Sequence, residues 1–168
     1  MLLALLGLLV PAGLWWALRC GEVTTLVLVR HADRDGGRDA LTALGVERSR
    51  ALVHAVEKLG VAAIFHSNTV RSRETAAPLA RALGLPMVER PAADVAGLLQ
   101  EISTRHGGEH VLVVGHGNTV PQLIRAAGGP ELPDIAHAEF DDLFLLDLCR
   151  CRLGRAELRR LQYGAPSP

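Results

Sequence analysis

Residues 25–33 read TLVLVRHAD, an apolar run that ends abruptly in an arginine, a histidine and an aspartate. The run has no polar alternation, which is typical of a strand that is covered on both faces of a sheet. Similar apolar runs occur at 62–65 and 110–114, and polar residues follow each of them at once. Helical patterns separate these runs, so the sequence predicts a mostly parallel sheet with helices on both faces.

The predicted elements alternate along the chain after residue 24. Strands are predicted at 25–29, 62–65, 86–89, 110–114, 143–148 and 153–161, and helices at 42–59, 72–83, from 95 onward behind an N-cap at Asp94, and around 120–127. In the first helix one apolar stripe is predicted to face the sheet, made of Leu44, Ala51, Leu52, Ala55, Val56 and Leu59. The predicted fold class is therefore α/β, a three-layer α/β/α sandwich.

Composition indicates a globular protein and excludes one class of partner. The chain has 168 residues, of which 49% are hydrophobic, and its 18 basic side chains balance 18 acidic ones. This is enough apolar material for a sizeable core. Nucleic-acid-binding proteins usually carry a basic excess, and none is present here, so we expect no nucleic-acid partner. Recognition of any anion must then depend on a few placed arginines.

The N-terminal segment differs from the rest of the chain. Residues 1–18 are uncharged and rich in leucine, and Trp15 and Trp16 lie near their end. This length is close to the minimum for a membrane span and to that of a long signal-peptide core. We predict that residues 1–22 are a hydrophobic leader, a signal peptide or membrane anchor, and that residues 23–168 form one domain that is exported or membrane-anchored. If the start codon is misassigned, the protein begins near Thr24 and is cytoplasmic.

Polar residues that follow three of the predicted strands are expected to meet at one edge of the sheet. Arg30 and His31 follow the first strand, Arg71 comes shortly after the second, and His116 follows the strand at 110–114. Ligands of such sheets bind beyond the carboxyl ends of the strands. The turn at 34–38, just past His31, could also touch a ligand there.

Two histidines and two arginines are suited to phosphoryl transfer. A neutral imidazole attacks phosphorus and forms a transient phosphohistidine. Neighbouring arginines disfavour the imidazolium, and they also bind phosphoryl oxygens through paired N–H groups. Gly115 and Gly117, on either side of His116, allow the backbone to approach a ligand closely.

Other site types fit the sequence less well. The spacing around Gly115 lacks the third glycine of a dinucleotide-binding loop, and the chain has no phosphate-binding lysine motif and no G-x-S-x-G element. Cys20, Cys149 and Cys151 lack zinc-site spacing. A metal site built from His31, Asp33 and His116 is conceivable, but adjacent arginines would repel a dication. A metal-dependent hydrolase and a non-catalytic phosphate-binding protein therefore stay as the alternative hypotheses.

The motifs resemble those of the histidine phosphatase (phosphoglycerate-mutase-like) superfamily. LVRHA at 28–32 resembles its R-H-G/A signature, and SNTVRSRETA at 67–76 is similar to its S-x-x-x-R-x-x-x-T-A element. VGHGNT at 114–119 resembles the motif of its second histidine, and LTALG at 41–45 the opening of its first helix. The resemblance runs from about residue 25 to the C-terminus, and it implies a phosphoglycerate-mutase-like fold. The compact chain is most similar to the small bacterial phosphatases of that superfamily.

The resemblance also implies roles for individual residues. His31 would be the phosphorylated nucleophile, Arg30, Arg71 and His116 would form the phosphate pocket, and Asn118 would be a further contact. It implies a phosphatase that uses no metal or other cofactor. The substrate would be a phosphorylated small molecule or a phosphoprotein, cleaved at a phosphomonoester or phosphohistidine bond.

The general acid is left open among three carboxyl groups. The mutase branch takes a glutamate from the stretch between the arginine element and the second histidine, and here that stretch offers Glu89 and Asp94. Asp94 lies in a segment that resembles the D-x-x-x-L of some small bacterial members, and it is our first choice. It can equally well serve only as a helix cap. Asp33, close to the first motif, is the third candidate.

Overall fold

The computed structural model describes residues 22–149 and 156–167, and these form six strands and four helices. The strands are β1 (Val23–Arg30), β2 (Val61–Ser67), β3 (Met87–Arg90), β4 (His110–Gly115), β5 (Asp142–Cys149) and β6 (Ala156–Gln162). The helices are α1 (Ala43–Val56), α2 (Val70–Leu83), α3 (Val95–Arg105) and α4 (Thr119–Ala126). Every predicted element is present, with ends that differ by up to three residues. The predicted start of the last strand, at 153–155, lies outside the described residues.

Part of the sequence prediction falls outside the described residues. The predicted leader, except for Glu22, lies there, as do Cys20 and Cys151. Among the residues that are described, no helix has both the length and the apolar character that crossing a membrane requires.

The sheet is mostly parallel, as predicted. Its strand order is β3-β2-β4-β1-β5-β6. β3, β2, β4 and β1 run parallel to one another, whereas β5 is antiparallel to β1 and β6 is antiparallel to β5. Arg30 pairs with Gly115 at the end of the β1–β4 ladder, and His66 pairs with Val114 beside it. The carboxyl ends of β1, β4 and β2 therefore lie side by side.

Helices cover both faces of the sheet, so the three-layer α/β/α sandwich is confirmed. On one face α1 and α2 pack against the sheet through Leu52, Val56, Ala76 and Leu79. On the other face α3 and α4 do so through Leu98, Ile102, Val120 and Ile124. Successive residues of β1 point into opposite clusters, Leu26 and Leu28 into one and Val27 and Val29 into the other. This explains why β1 is apolar without alternation.

The face that α1 turns towards the sheet differs from the predicted stripe. Leu44 and Ala55 are exposed, whereas Gly45, Arg48 and Ser49 are buried together with Leu52 and Val56. The reason is an ion pair. Arg48 Nε donates to Asp33 Oδ2 over 2.6 Å, and both side chains are almost fully buried. A buried arginine at position 48 rotates the helix so that its charged group reaches the loop after β1.

Gly45 allows α1 to approach this loop. A Cβ atom at position 45 would overlap the backbone carbonyl oxygen of Asp33. The helix begins at this point because the side chain of Thr42 accepts a hydrogen bond from the Gly45 amide. Close contact between helix and loop therefore requires a residue without a side chain here.

We expect Gly45→Ala to destabilise the protein. The clash with the Asp33 backbone should cost about 1–3 kcal/mol, and it outweighs the ~1 kcal/mol that alanine contributes to a helix interior. Urea unfolding should show the lower stability. Gly36→Ala is the matched control, since a Cβ atom at position 36 meets nothing within 4 Å. Equal stability of the two variants would contradict this account.

Candidate active site

The carboxyl ends of three strands surround an open cleft of about 540 Å³. Arg30 and His31 reach it from β1, Arg71 from the start of α2, and His116 from the loop after β4. The four residues that the sequence placed at one edge thus line one cavity. Its volume lies within the range of about 300–1,000 Å³ that is usual for small-molecule sites.

Arg30 is buried and held in place by a distant part of the chain. Its Nη1 donates to the backbone carbonyls of Ala136, over 2.7 Å, and Glu139, over 2.9 Å. Its guanidinium carbon lies 4.2 Å from the centre of the Phe140 ring, a cation–π contact. The segment between α4 and β5 therefore fixes the orientation of this arginine.

His31 is buried, and its contacts determine which ring nitrogen carries the proton. Nδ1 lies 2.9 Å from the carbonyl oxygen of Ala32. A carbonyl oxygen only accepts hydrogen bonds, so Nδ1 carries the proton and Nε2 keeps its lone pair. The backbone is fixed on both sides of the ring, because the His31 amide donates to Gly115 and the Ala32 amide donates to the Thr75 hydroxyl.

Arg71 and His116 form a second pair opposite His31. Arg71 Nη1 donates to Asp39 over 2.7 Å, and its Nη2 lies 3.4 Å from Nδ1 of His116. A guanidinium only donates, so Nδ1 of His116 is the acceptor and its Nε2 carries the proton. The ring centres of His31 and His116 are 5.4 Å apart. One imidazole thus offers a lone pair and the other an N–H group.

Both imidazoles are kept neutral. Burial lowers the pKa of His31 to about 3, and the charges of Arg30 and Arg71 lower it in the same direction, although the hydrogen bond to Ala32 opposes them. Burial, then Arg71 and Arg30, lowers the pKa of His116 to about 4. At neutral pH His31 is therefore uncharged, which is the form that can attack an electrophile.

The cleft carries excess positive charge. Arg34, in the turn after His31, also lines it. The Nε atoms of Arg30, Arg34 and Arg71 are buried and have no hydrogen-bond partner among residues 22–149 and 156–167. Three guanidinium groups around one cavity favour an anion with several oxygen atoms there.

Of the other predicted site residues, some line the cleft and others do not. Asn118 is exposed and lines the cleft, as expected of a ligand contact. Asp94 caps α3 by accepting from the Gly97 amide, and it lies just past the cleft-lining Ala93. Glu89 is exposed on β3. Asp33 gives both of its carboxylate oxygens to Arg48, so this carboxyl group holds the loop together.

The described part of the chain contains no cluster of three or more histidine, cysteine, aspartate or glutamate side chains that could hold a metal ion. The proposed ligand Asp33 is engaged by Arg48. The combination of His31, Asp33 and His116 is therefore not arranged as a metal site.

The sequence analysis missed several residues of the cleft. Asp39 contacts Arg71, and its carboxylate also accepts from the Val70 and Arg71 amides at the start of α2. Asp134, Ile135 and His137 line the cleft from the segment before β5. No motif marks that segment, because it contacts Arg30 through backbone carbonyls that any residue type supplies.

Comparisons with known proteins agree with the motifs. Residues 26–94 match the family model of the histidine phosphatase superfamily (branch 1), a range that includes Arg30, His31 and Arg71. The resemblance predicted from the sequence is confirmed over this range, and the motif at 114–119 lies beyond it. No curated protein sequence matches the chain.

Several solved structures share the fold. The native mycobacterial glucosyl-3-phosphoglycerate phosphatase matches with a TM-score of 0.65 at 16% identity, covering 84% of this chain and 100% of that one. The protein histidine phosphatase SixA complexed with tungstate matches with a TM-score of 0.60 at 19% identity, covering 82% and 96%. Phosphoglycerate mutase from Plasmodium falciparum matches with a TM-score of 0.57 at 20% identity, covering 87% of this chain and 96% of that one. At these identities the likeness shows a common fold.

The depressed pKa of His31 predicts how its contribution to stability changes with pH. Below pH 6.5 the unfolded chain protonates this histidine, but the folded chain does not until about pH 3. The unfolded state then binds more protons, so stability falls as pH falls through this window. Relative to His31→Gln, the native protein should lose on the order of 1–2 kcal/mol between pH 7 and pH 5.

Urea unfolding of the two proteins at several pH values measures this difference. His54→Gln is the control, because His54 is exposed on α1 and its removal should leave the pH dependence unchanged. A difference between native protein and His31→Gln that stays constant from pH 7 to pH 5 would show that His31 is not held neutral.

Proposed function

We propose that this protein, whose residues 26–94 match the histidine phosphatase superfamily, is a phosphatase that hydrolyses phosphomonoesters or phosphohistidine through a phosphohistidine intermediate on His31. The observation that carries the proposal is a buried, neutral His31 with an unprotonated Nε2, in a cleft that it shares with arginines whose Nε donors are unpaired. A nucleophile and an anion-binding site are thereby combined in one cavity.

The reaction proceeds in two displacements. In the first, Nε2 of His31 attacks phosphorus, the P–N bond forms, and the bond from phosphorus to the leaving oxygen or nitrogen breaks. A general acid protonates the leaving group. In the second, water attacks phosphorus, the same residue, now a base, takes the water proton, and the P–N bond breaks. The products are the dephosphorylated molecule, inorganic phosphate and free His31.

The charged groups stabilise the phosphoryl oxygens along this path. One guanidinium about 4 Å from a phosphate charge contributes roughly 4 kcal/mol at an effective dielectric constant near 20. Arg30 and Arg71 are held by the 136–140 segment and by Asp39, so they need no rearrangement when charge develops. The N–H of His116 is a further donor to the same oxygens.

Two observations on relatives support an oxyanion in this cleft. SixA, which shares the fold, was solved with tungstate, a tetrahedral anion like phosphate. The mycobacterial glucosyl-3-phosphoglycerate phosphatase was also solved with inorganic phosphate. We infer that a tetrahedral anion binds among Arg30, His31, Arg71 and His116 in this chain, with Asn118 at its rim.

We retain Asp94 as the proposed general acid. It follows the cleft-lining residues Ala92 and Ala93, although in the structure its carboxylate caps α3 and lines a separate cavity with His66 and Ser67. Asp33 is unsuitable because both of its carboxylate oxygens are bound by Arg48. Asp134 lines the cleft directly and is the competing candidate that the structure adds.

Replacing the nucleophile should abolish turnover. We expect His31→Ala to lower kcat/KM for p-nitrophenyl phosphate by about 10³-fold or more, because no phosphohistidine can form. His54→Ala, on an exposed face of α1, is the control for a lost histidine. Rapid quench of the native protein and ³²P-labelled substrate in alkaline detergent should trap protein-bound phosphate that later acid treatment releases, and the His31→Ala protein should lack it.

The same assay distinguishes the alternatives. Activity that survives EDTA and needs His31 supports the proposal. Phosphate binding without turnover would indicate a non-catalytic protein, and activity lost in EDTA would indicate a metal-dependent hydrolase.

The general acid can be identified by how strongly the activity loss of each variant depends on the leaving group of the substrate. Phenolate is a poorer leaving group than p-nitrophenolate and needs the proton more. Asp94→Asn should therefore lower kcat/KM for phenyl phosphate by about 10²-fold or more, and for p-nitrophenyl phosphate much less. Glu89→Gln and Asp134→Asn are measured in parallel. If only Asp134→Asn shows the dependence on the leaving group, the assignment to Asp94 is wrong.

A further inference from the structure

Asp39, in the segment between β1 and α1, binds both the backbone and the side chain of Arg71. Its Oδ1 accepts from the Arg71 amide over 3.3 Å and from Nη1 of the same residue over 2.7 Å. Its Oδ2 accepts from the Val70 amide over 3.0 Å. One carboxylate, itself fixed to the start of α2, thus holds Arg71 at its backbone and at the tip of its side chain.

The ion pair between Asp39 and Arg71 is not explained by stability. The side chain of Asp39 is 46% exposed, and exposed ion pairs stabilise a protein only slightly, because water screens them and both side chains lose freedom. The start of α2 also has a cap of its own, since the side chain of Thr69 accepts from the Ser72 amide. The contact is better explained by the position that it gives to the Arg71 guanidinium.

This contact determines which nitrogens of Arg71 remain for a ligand. Nη1 is occupied by Asp39, whereas Nε has no partner in the described part of the chain. Nε and Nη2 form one edge of the planar guanidinium, and such an edge matches two oxygens of a phosphoryl group. Arg30 is likewise held by its Nη1, and its Nε is unpaired among the same residues. The two arginines therefore offer the same edge to an anion.

The position of Arg71 also affects His116. Nδ1 of His116 accepts from Nη2 of Arg71 over 3.4 Å, which leaves the proton on its Nε2. Asp39, Arg71 and His116 thus form a chain of contacts that leads from the segment after β1 to the loop after β4. The hydrogen bond from the Val70 amide, followed by the contacts with Arg71, lowers the pKa of Asp39, so this chain begins at a charged carboxylate at neutral pH.

We propose that Asp39 is a positioning residue of the phosphoryl site, which turns the Nε–Nη2 edge of Arg71 towards the anion and keeps the Nε2 proton of His116 available to it. This rests on the proposed phosphatase function and adds a residue that acts on that site through Arg71. By charge alone, a carboxylate near an anion site weakens anion binding. Positioning has the opposite sign, because removal of the carboxylate then weakens binding.

Calorimetric titration with tungstate tests the proposal. Asp39→Asn keeps an oxygen that can accept from the α2 amides, but it removes the charge. We expect this variant to bind tungstate about tenfold more weakly than the native protein, and to lower kcat/KM for p-nitrophenyl phosphate mainly through a higher KM. When Arg71→Gln is already present, Asp39→Asn should change the affinity less than about twofold, because no guanidinium is left for Asp39 to hold.

Glu74→Gln is the matched control. Glu74, half-buried on α2, accepts from the Leu41 amide over 2.9 Å, so it joins α2 to the same segment through a contact that does not involve Arg71. This variant should bind tungstate as the native protein does, and unfolding curves show whether all variants are folded. Native or tighter binding by Asp39→Asn would overturn the proposal. So would a loss of affinity that Glu74→Gln shares, or one that persists undiminished beside Arg71→Gln.

A second measurement needs neither ligand nor turnover. Ring ¹⁵N chemical shifts, assigned with the help of His116→Gln, should show the Nε2–H tautomer of His116 in the native protein and in Glu74→Gln, and a mixture of tautomers in Asp39→Asn. The native tautomer in Asp39→Asn would overturn the proposed action on His116. If the native protein binds tungstate but hydrolyses no phosphate ester, the phosphatase proposal fails, and the affinities and the tautomer still decide the role of Asp39.

Discussion

The buried ion pair between Arg48 and Asp33 is the constraint on which the geometry of the cleft depends. Arg48 also donates to the backbone carbonyls of Tyr163, over 3.2 Å, and Ala165, over 2.6 Å. One guanidinium therefore joins α1, the loop that follows the nucleophile, and the chain after β6. Removing a charge from water is expensive, and it is tolerated here because every polar contact of the pair is made inside the protein. The loop that carries His31 is consequently fixed from behind, on the side away from the cleft.

The arginines that face the cleft are held in a different way from Arg48. Arg30 donates from Nη1 to two backbone carbonyls, and Arg71 donates from its two Nη atoms to Asp39 and His116. Both keep an Nε without a partner among the described residues, and Arg34 has no acid partner there. The positive charges of these arginines are thereby kept close together. Together with burial, they lower the pKa of His31 and of His116. The repulsion that costs stability in the free protein is relieved when an anion enters. Binding affinity and a neutral nucleophile thus have one electrostatic origin.

Much of this arrangement could be predicted from the sequence because local chemistry determines it. β1 at 26–29 and β4 at 111–114 are continuously apolar because both faces of these strands are covered, and the residues after the two strands lie beyond the carboxyl ends of a parallel sheet. The orientation of α1 could not be predicted, because periodicity treats Arg48 as an exposed position and Leu44 as a buried one. Only the partner Asp33, which comes from another element, reverses that assignment. The contact of Asp39 with Arg71 was missed for the same reason.

The cleft is also divided between the part of the chain that the family model matches and the part beyond it. The match to the superfamily ends at residue 94, yet His116, Asn118, Asp134 and His137 all come from beyond it. The segment before β5 holds Arg30 through two backbone carbonyl oxygens. Binding Arg30 therefore places no requirement on the side chains of this segment. Side chains there can vary without disturbing the phosphoryl site. In the proposed phosphoryl transfer His31 and its arginines define the chemistry, and the irregular segment at 130–139, together with the turn at 34–38, is where selectivity for the leaving group can be set.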